Sequence, residues 1–350
     1  MAISIIDVAK MANVSTATAS RVINQKDSNI PISEGTKFKV LNAVEKLNYR
    51  PNALARGLVT LRTRTIGVVV PNMSTLFFPE VIESIESFAR NKDYHIILSM
   101  SENNPDEEKE CVETFLEKRV DGIIIAPTQL GVPNVEYFEE LQERDIPIVF
   151  IDMYLGEVEK DFVIIDNKLG AYEAVEYLIK LGHRRIGHIG GPRELSAVQD
   201  RLTGYIKALE SYNIEYDDKL VKELPNIKKE AGYQGMKELI EANNPLTAIF
   251  AVTDMVAIGA LKAIREAGMK VPEDISLVGF DDIELASFLE VPLTTVSQQQ
   301  HRIGNLAAEI VIERIEKKGE NKHHQIILKP KLIVRESCRD LRENSEVGEQ

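Results

Sequence analysis

The chain has no tryptophan, and aromatic residues make up only 6% of its 350 positions. Its two cysteines, Cys111 and Cys338, lie in polar surroundings and match no metal or redox spacing, which excludes a disulfide scaffold and a thiolate metal centre. The six histidines form no ligand constellation. His183 and His188 flank an expected strand, His323 and His324 lie in a polar turn, and all four read as surface residues. No uncharged apolar run approaches the length that spans a bilayer. Asp7 interrupts the N-terminus before any leader-like apolar core forms, so the reading is a reduced, cytoplasmic protein. Phosphate loops and dinucleotide fingerprints are absent too. The run Gly187-His188-Ile189-Gly190-Gly191 reads as a turn that lets the chain reverse. No nucleophile–base pair stands out, and no cofactor, metal or enzymatic activity is expected.

What is present is uneven. The net charge is −13, yet residues 1–64 carry ten Lys/Arg against four acids, a net of +6, leaving −19 for the remainder. A basic head on an acidic body directs the head alone toward polyanions. Residues 4–24 explain how. Ser4 and Asp7 form a Ser-x-x-acid capping box that opens a short helix with Val8, Ala9 and Ala12 on its apolar face. Asn13 suits the left-handed reversal that follows. Ser15 caps a second helix, with Ala19, Val22 and Ile23 inward and Thr16, Ala17, Ser20 and Arg21 outward. Short polar side chains around one arginine suit close approach to base edges. An ordinary helical hairpin is the alternative. A third helix is expected from about Ser33 to Leu47, with Phe38, Leu41, Val44 and Leu47 closing the core and Pro51 as its stop. Asn52 caps a segment of about two turns, too short to be stable alone. Leu58 at its end has two readings, a wedge into a minor-groove step or a contact with the body.

From Thr65 the pattern changes to fully apolar runs alternating with amphipathic helices. Strands are expected at Ile66–Val70, Ile96–Ser99, Gly122–Ala126, Ile148–Ile151, Ile186–Ile189, Ala248–Val252 and Ser276–Phe280. Such runs mean parallel sheets covered on both faces, in two lobes with a cleft between them. Ligands bind beyond the carboxyl ends of parallel strands. Those ends lead into Asn72–Phe78, Asp152, Gly190–Arg201, Thr253–Asp254 and Asp281–Asp282.

Several motifs now fall into one order. They are Asp7-Val8-Ala9, Ser20-Arg21-Val22-Ile23-Asn24, Tyr49-Arg50-Pro51-Asn52, Ala55-Arg56-Gly57-Leu58, Asp121-Gly122-Ile123-Ile124, Gly182-His183-Arg184-Arg185, Thr253-Asp254 and Val278-Gly279-Phe280-Asp281-Asp282. Through them the chain resembles the lactose-repressor (LacI/GalR) family of bacterial transcription regulators from Ser4 to about Cys338, and its catabolite-control branch in particular. The resemblance implies an α/β fold, with an N-terminal three-helix helix-turn-helix head and a two-lobed periplasmic-binding-protein-like parallel-sheet body. The domains would be 1–50 for DNA binding, 51–64 for a hinge helix and linker, 65–340 for effector binding and dimerisation, and 341–350 as a polar tail. It implies that Thr16, Ala17 and Arg21 read bases in the major groove and that Leu58 intercalates in the minor groove. Ser20, Asn24, Tyr49, Arg50, Asn52 and Ala55 join them as DNA contacts. In the cleft it implies that Phe77 packs on the effector, with Asp152, Arg201, Thr253 and Asp281 as polar contacts. Paired carboxylates accept from vicinal hydroxyls, and an arginine fork holds a hydroxyl, ring oxygen or acid. Acids after strands also cap helices, so each carboxylate keeps both readings.

The departures refine this. Ile227 stands where many relatives keep an aromatic, which turns the reading from purines toward a sugar or sugar derivative. Thr253 replaces a frequent asparagine. The helix at His301–Lys317 carries Glu309 and Glu313 where the catabolite-control branch docks a phosphorylated carrier protein with basic residues, so that partner is not expected. Glu336–Gln350 is polar without a leucine heptad, which leaves a homodimer as the expected state. The resulting expectation is a repressor of carbohydrate-utilisation genes on a pseudo-palindromic operator. Two rivals are an enzyme acting on a sugar in the cleft and an exported solute-binding protein. Adjacent Asp281 and Asp282 do not flank a scissile bond, and the head contradicts export.

Overall fold

The computed structural model describes residues 3–23, 31–49, 62–131, 133–153, 160–242, 245–316 and 323–342. Contacts divide the chain into two units, Met1–Thr63 and Arg64–Gln350. In the first, α1 (Ile5–Ala12) opens on the capping box, the Ser4 N–H donating to the Asp7 carboxylate at 2.9 Å. It closes at Asn13, which is left-handed at φ 55°. The cap of α2 (Thr16–Ile23) is Ser15, whose Oγ accepts from the Thr18 N–H at 3.1 Å. Ser33 Oγ does the same for α3 (Glu34–Lys46), accepting from Thr36.

The third helix turns a different face inward than its periodicity first suggests. Val40 and Ala43 are buried against Val8, Ala9, Ala12 and Ala19, with Val44 and Leu47 packed beside them. Phe38 is 69% exposed and Leu41 55%. The spacing 40, 43, 44, 47 is as helical as 38, 41, 44, 47, and a core built largely of alanines has no room for a phenyl ring. The helix also stops before Pro51. Asn48 turns left-handed at φ 47°, and the Tyr49 N–H returns to the Val44 carbonyl at 2.9 Å.

The second unit begins β1 (Thr65–Val70), α4 (Phe77–Asn91), β2 (His95–Met100), α5 (Pro105–Glu117), β3 (Gly122–Ile125), α6 (Val135–Glu143), β4 (Ile148–Ile151) and β5 (Asp161–Ile165). A second lobe follows with α7 (Asn167–Lys180), β6 (Ile186–Ile189), α8 (Ser196–Ser211), β7 (Val221–Lys222), α9 (Lys229–Glu241), β8 (Ala248–Ala251), α10 (Asp254–Glu266), β9 (Ser276–Val278), α11 (Glu284–Ser287) and β10 (Thr295–Ser297). The chain returns through α12 (Gln300–Glu316) and β11 (Gln325–Leu328) to the first lobe, then crosses again to β12 (Lys331–Ile333). The first sheet runs β11-β5-β4-β3-β1-β2 and the second β7-β6-β8-β9, all parallel. Strand β10 pairs antiparallel with β12. Apolar strands with helices on both faces give each lobe its own core.

The lobes are joined by three crossings, near Asp166, Gln299 and Lys329. The Asp166 N–H donates to Leu328 O at 3.0 Å, and Gln299 Nε2 donates to Lys329 O. The hinge is therefore cross-linked by hydrogen bonds at its own level.

Two sequence readings need correction here. His183 and His188 are core residues, 0% and 1% exposed. His188 stacks on Tyr205 and Phe250 with ring centroids 5.2 Å away in each case, and burial lowers its pKa to about 4. The cysteines are not in polar surroundings. Cys111 packs on the first lobe's core, while Cys338 packs on the second's and has its thiol raised to about 11 by burial. Among the described residues, no His/Cys/Asp/Glu group is arranged to hold a metal, and no helix is long and apolar enough to cross a membrane.

Candidate functional site

The outward face of α2 is built as its sequence dictates. Ala19 turns inward and is fully buried, while Thr16 and Ala17 are exposed and Ser20 and Arg21 half-buried. The first turn of α2 carries no acid, so the positive end of its dipole stays available to an anion. Tyr49 lies half-buried against the head's core. Lys37 pairs with Glu34 at 2.7 Å on the surface. Asn24, Arg50, Asn52, Ala55 and Leu58, together with the expected hinge helix, lie outside the described residues.

In the second unit, strand ends converge on Arg201. It sits in the second turn of α8, only 3% exposed, with its guanidinium 3.7 Å from the centroid of the Phe280 ring. Nε donates to Asn167 Oδ1 at 2.9 Å, and Nη1 donates to Val252 O at 2.7 Å and to Asp281 Oδ1 at 3.4 Å. A buried arginine this heavily bonded has its orientation fixed before any ligand arrives. Asp281 follows β9 at φ 119°, a strained backbone angle for a residue with a side chain. Its Oδ1 also accepts from Gln298 Nε2 at 2.6 Å, and its carbonyl accepts from Gln300 Nε2. Gln298 Oε1 is buried without a hydrogen-bond partner among the described residues. The hinge is thus bonded directly to this carboxylate.

Burial raises Asp281 to about 7 against the opposing pull of Arg201. Asp152, left-handed at φ 67° after β4 of the other lobe, is likewise raised to about 6 by burial, with Arg201 again opposing. The lobes meet electrostatically through that arginine. Asp254 plays a structural part: its Oδ1 accepts from Thr295 Oγ1 at 2.6 Å and its Oδ2 from the Ile283 N–H at 3.0 Å, and burial raises its pKa. Thr253, which precedes it, caps α10 by accepting from the Val256 N–H at 3.2 Å. Asp282 pairs with Arg335 at 2.6 Å. Phe77 opens α4 inside the first lobe's core, 4% exposed and edge-on to Phe78.

The structure therefore joins Arg201, Asp281 and Asp152 in one cluster and sets Thr253 one residue beyond the carbonyl that Arg201 binds. Asn167, Phe280, Gln298 and Gln300 belong to the same cluster and escaped the sequence reading. Asn167 opens α7 two residues after β5, a strand whose leading Asp161 disguises it. The run Gln298-Gln299-Gln300 follows the three-residue β10, so no strand end drew attention to it.

This architecture has known counterparts. Residues 4–52 match the model of the bacterial regulatory proteins of the lacI family, and residues 175–338 match a periplasmic binding protein-like domain. The chain is 38% identical to the HTH-type transcriptional regulator RegA of Clostridium saccharobutylicum, over 96% of this chain and 99% of that one. It is 36% identical to the transcriptional repressor PurR of Vibrio atlanticus and 34% identical to the ribose operon repressor of Haemophilus influenzae, each over 96% of this chain and 98% of the relative. Among solved structures, the Lac repressor dimer bound to operator and the anti-inducer ONPF superposes with a TM-score of 0.86 at 28% identity, covering 97% of this chain and all of that one. These relatives are transcriptional regulators, not enzymes. The chain belongs to the lacI family and is a DNA-binding transcriptional repressor, with a helix-turn-helix head and a periplasmic-binding-protein-like effector domain.

Proposed function

We propose that the protein represses carbohydrate-utilisation genes as a homodimer on a pseudo-palindromic operator, released or recruited by a sugar or sugar derivative in the cleft. In this reading residues 1–50 bind DNA, 51–64 form a hinge and linker, and 65–340 bind the effector and dimerise. Thr16, Ala17, Ser20 and Arg21 approach base edges, Tyr49 helps shape that surface, and Asn24, Arg50, Asn52, Ala55 and Leu58 supply further contacts. Phe77, Asp152, Arg201, Thr253 and Asp281 hold the effector. A ligand that binds one lobe arrangement better than the other shifts the head, with a coupling of about 1–3 kcal/mol for a typical allosteric pair.

The observation that carries this reading is the buried Arg201, paired with Asp281 and within the electrostatic reach of Asp152 from the other lobe, with Gln298 Oε1 buried and without a hydrogen-bond partner among the described residues. Hydroxyls satisfy such a set by donating to the carboxylates and the amide oxygen while accepting from the arginine. A flat base would want an aromatic face. At the position the resemblance reserves for one stands Ile227, whose Cγ2 fills the space a side chain at Gly191 would need. Titration of the purified chain with ribose, cellobiose and a purine base tests the choice. Heat of binding from a sugar, lost in Arg201→Ala, is the expected result; binding of the purine alone overturns the sugar reading.

A further inference from the structure

One bond spans the lobes at the entrance to the helix that carries Arg201. Helix α8 begins at Ser196, and Leu195 before it offers no side-chain cap. The missing acceptor comes from the other lobe: Gln129 Oε1 accepts from the Ser196 N–H at 2.6 Å. Gln129 follows β3, and its neighbour Leu130 packs on the second lobe's core, the cluster that includes Leu195 and Val198. The segment that makes this reach is itself held firmly. Glu108, fully buried on α5, accepts from the Thr128 N–H through Oε2 at 2.6 Å and from Asn134 Nδ2 through Oε1 at 3.0 Å. Asn134 Nδ2 also donates to Pro105 O at 2.7 Å. A carboxylate with both oxygens engaged by the backbone and an amide is a fixed anchor for the loop between them.

We propose that Gln129 is an interlobe latch: it caps α8 from the opposite lobe, tying closure of the cleft to the helix that positions Arg201, with Glu108 setting the latch in place. Opening the lobes uncaps α8, and closing them completes its first turn. Gln129 and Glu108 are positioning residues, since neither bonds to Arg201 itself. The link to effector control rests on the cleft being the effector site, as proposed above. The latch can be tested without any ligand.

The test uses the full chain without added sugar. Amide exchange is followed over residues 195–201, and the interlobe distance is read from nitroxides placed at exposed Glu117 on α5 and Lys237 on α9. Gln129→Leu keeps the volume but removes the acceptor. It is expected to speed exchange at Ser196 roughly fivefold, the usual worth of an N-cap, and to lengthen or broaden the interlobe distance. Gln129→Glu restores both, because a carboxylate accepts the same bond and suits a helix N-terminus. Glu108→Ala reproduces the leucine effect through Thr128. Unchanged exchange overturns the proposal. So does faster exchange with an unchanged interlobe distance, which would make Gln129 a local cap and nothing more. Failure of the effector reading shows separately, in the sugar titration.

Discussion

The outward face of α2 and the Arg201 cluster both present an arginine, and they present it in opposite ways. Arg21 stands on a short helix among exposed Thr16 and Ala17, on a head whose core is mostly alanine. Arg201 is almost fully enclosed, stacked on a ring and bonded to an amide, a carbonyl and a carboxylate. A long polyanion approaches from outside, so an arginine that meets it keeps part of its side chain in water, as half-buried Arg21 does, and its desolvation cost is smaller. A small ligand must be enclosed, so its site holds charges out of water and needs partners to keep them there. The same residue type therefore contributes little to folding in one place and much in the other.

Four perturbations sharpen or break that comparison. The largest effect is expected from Arg201→Ala, which leaves Asp281 and Asn167 buried without their partner. A loss of about 3–5 kcal/mol in denaturant unfolding is expected, as for removing one member of a buried ion pair. Adding Asp281→Asn should recover part of it, and a loss below about 1 kcal/mol would break the comparison. Next comes pH. Asp281 and Asp152 sit near 7 and 6 in the folded chain, above the ordinary carboxylate range of the unfolded one. The native state then holds more protons than the unfolded state between about pH 4 and 7, so stability falls as pH rises through that window. Asp281→Asn should flatten the slope, and an unchanged slope would contradict the burial argument. Arg21→Ala should cost roughly 1–3 kcal/mol at one base position of the operator and leave unfolding unaffected. A uniform loss on every sequence would reassign Arg21 to phosphate. The smallest effect is expected from Phe38→Gln, within about 0.5 kcal/mol in unfolding because the ring is exposed.

How much of this was legible follows physical lines. Caps and reversals read directly, because Ser4, Asn13 and Ser15 act on neighbours a few residues away. The apolar strands β1, β3, β4 and β8 read equally well, since burial on both faces leaves little else for them to be. Phe38 misled because helical periodicity fixes a spacing but not its phase, and the phase was set by the other two helices. Strand β5 was hidden because buried Asp161 is held by groups far along the chain, Arg314 at 2.7 and 2.9 Å and the His324 N–H at 2.6 Å. The cluster was half legible. Arg201 and Asp281 lie at strand-associated positions that the fold rule flags, whereas Asn167 and Gln298 matter only because the crossings bring the first to Arg201 and the second to its partner Asp281.

The most direct test is selection of genomic DNA fragments by the full chain at near-physiological salt, repeated with Arg21→Ala and Arg201→Ala. The account predicts one two-fold symmetric sequence for the unaltered chain, degraded at one base pair per half-site by Arg21→Ala and unchanged by Arg201→Ala. If no symmetric sequence emerges with or without the sugar that the chain binds, or if Arg201→Ala degrades it as severely as Arg21→Ala, the account is contradicted.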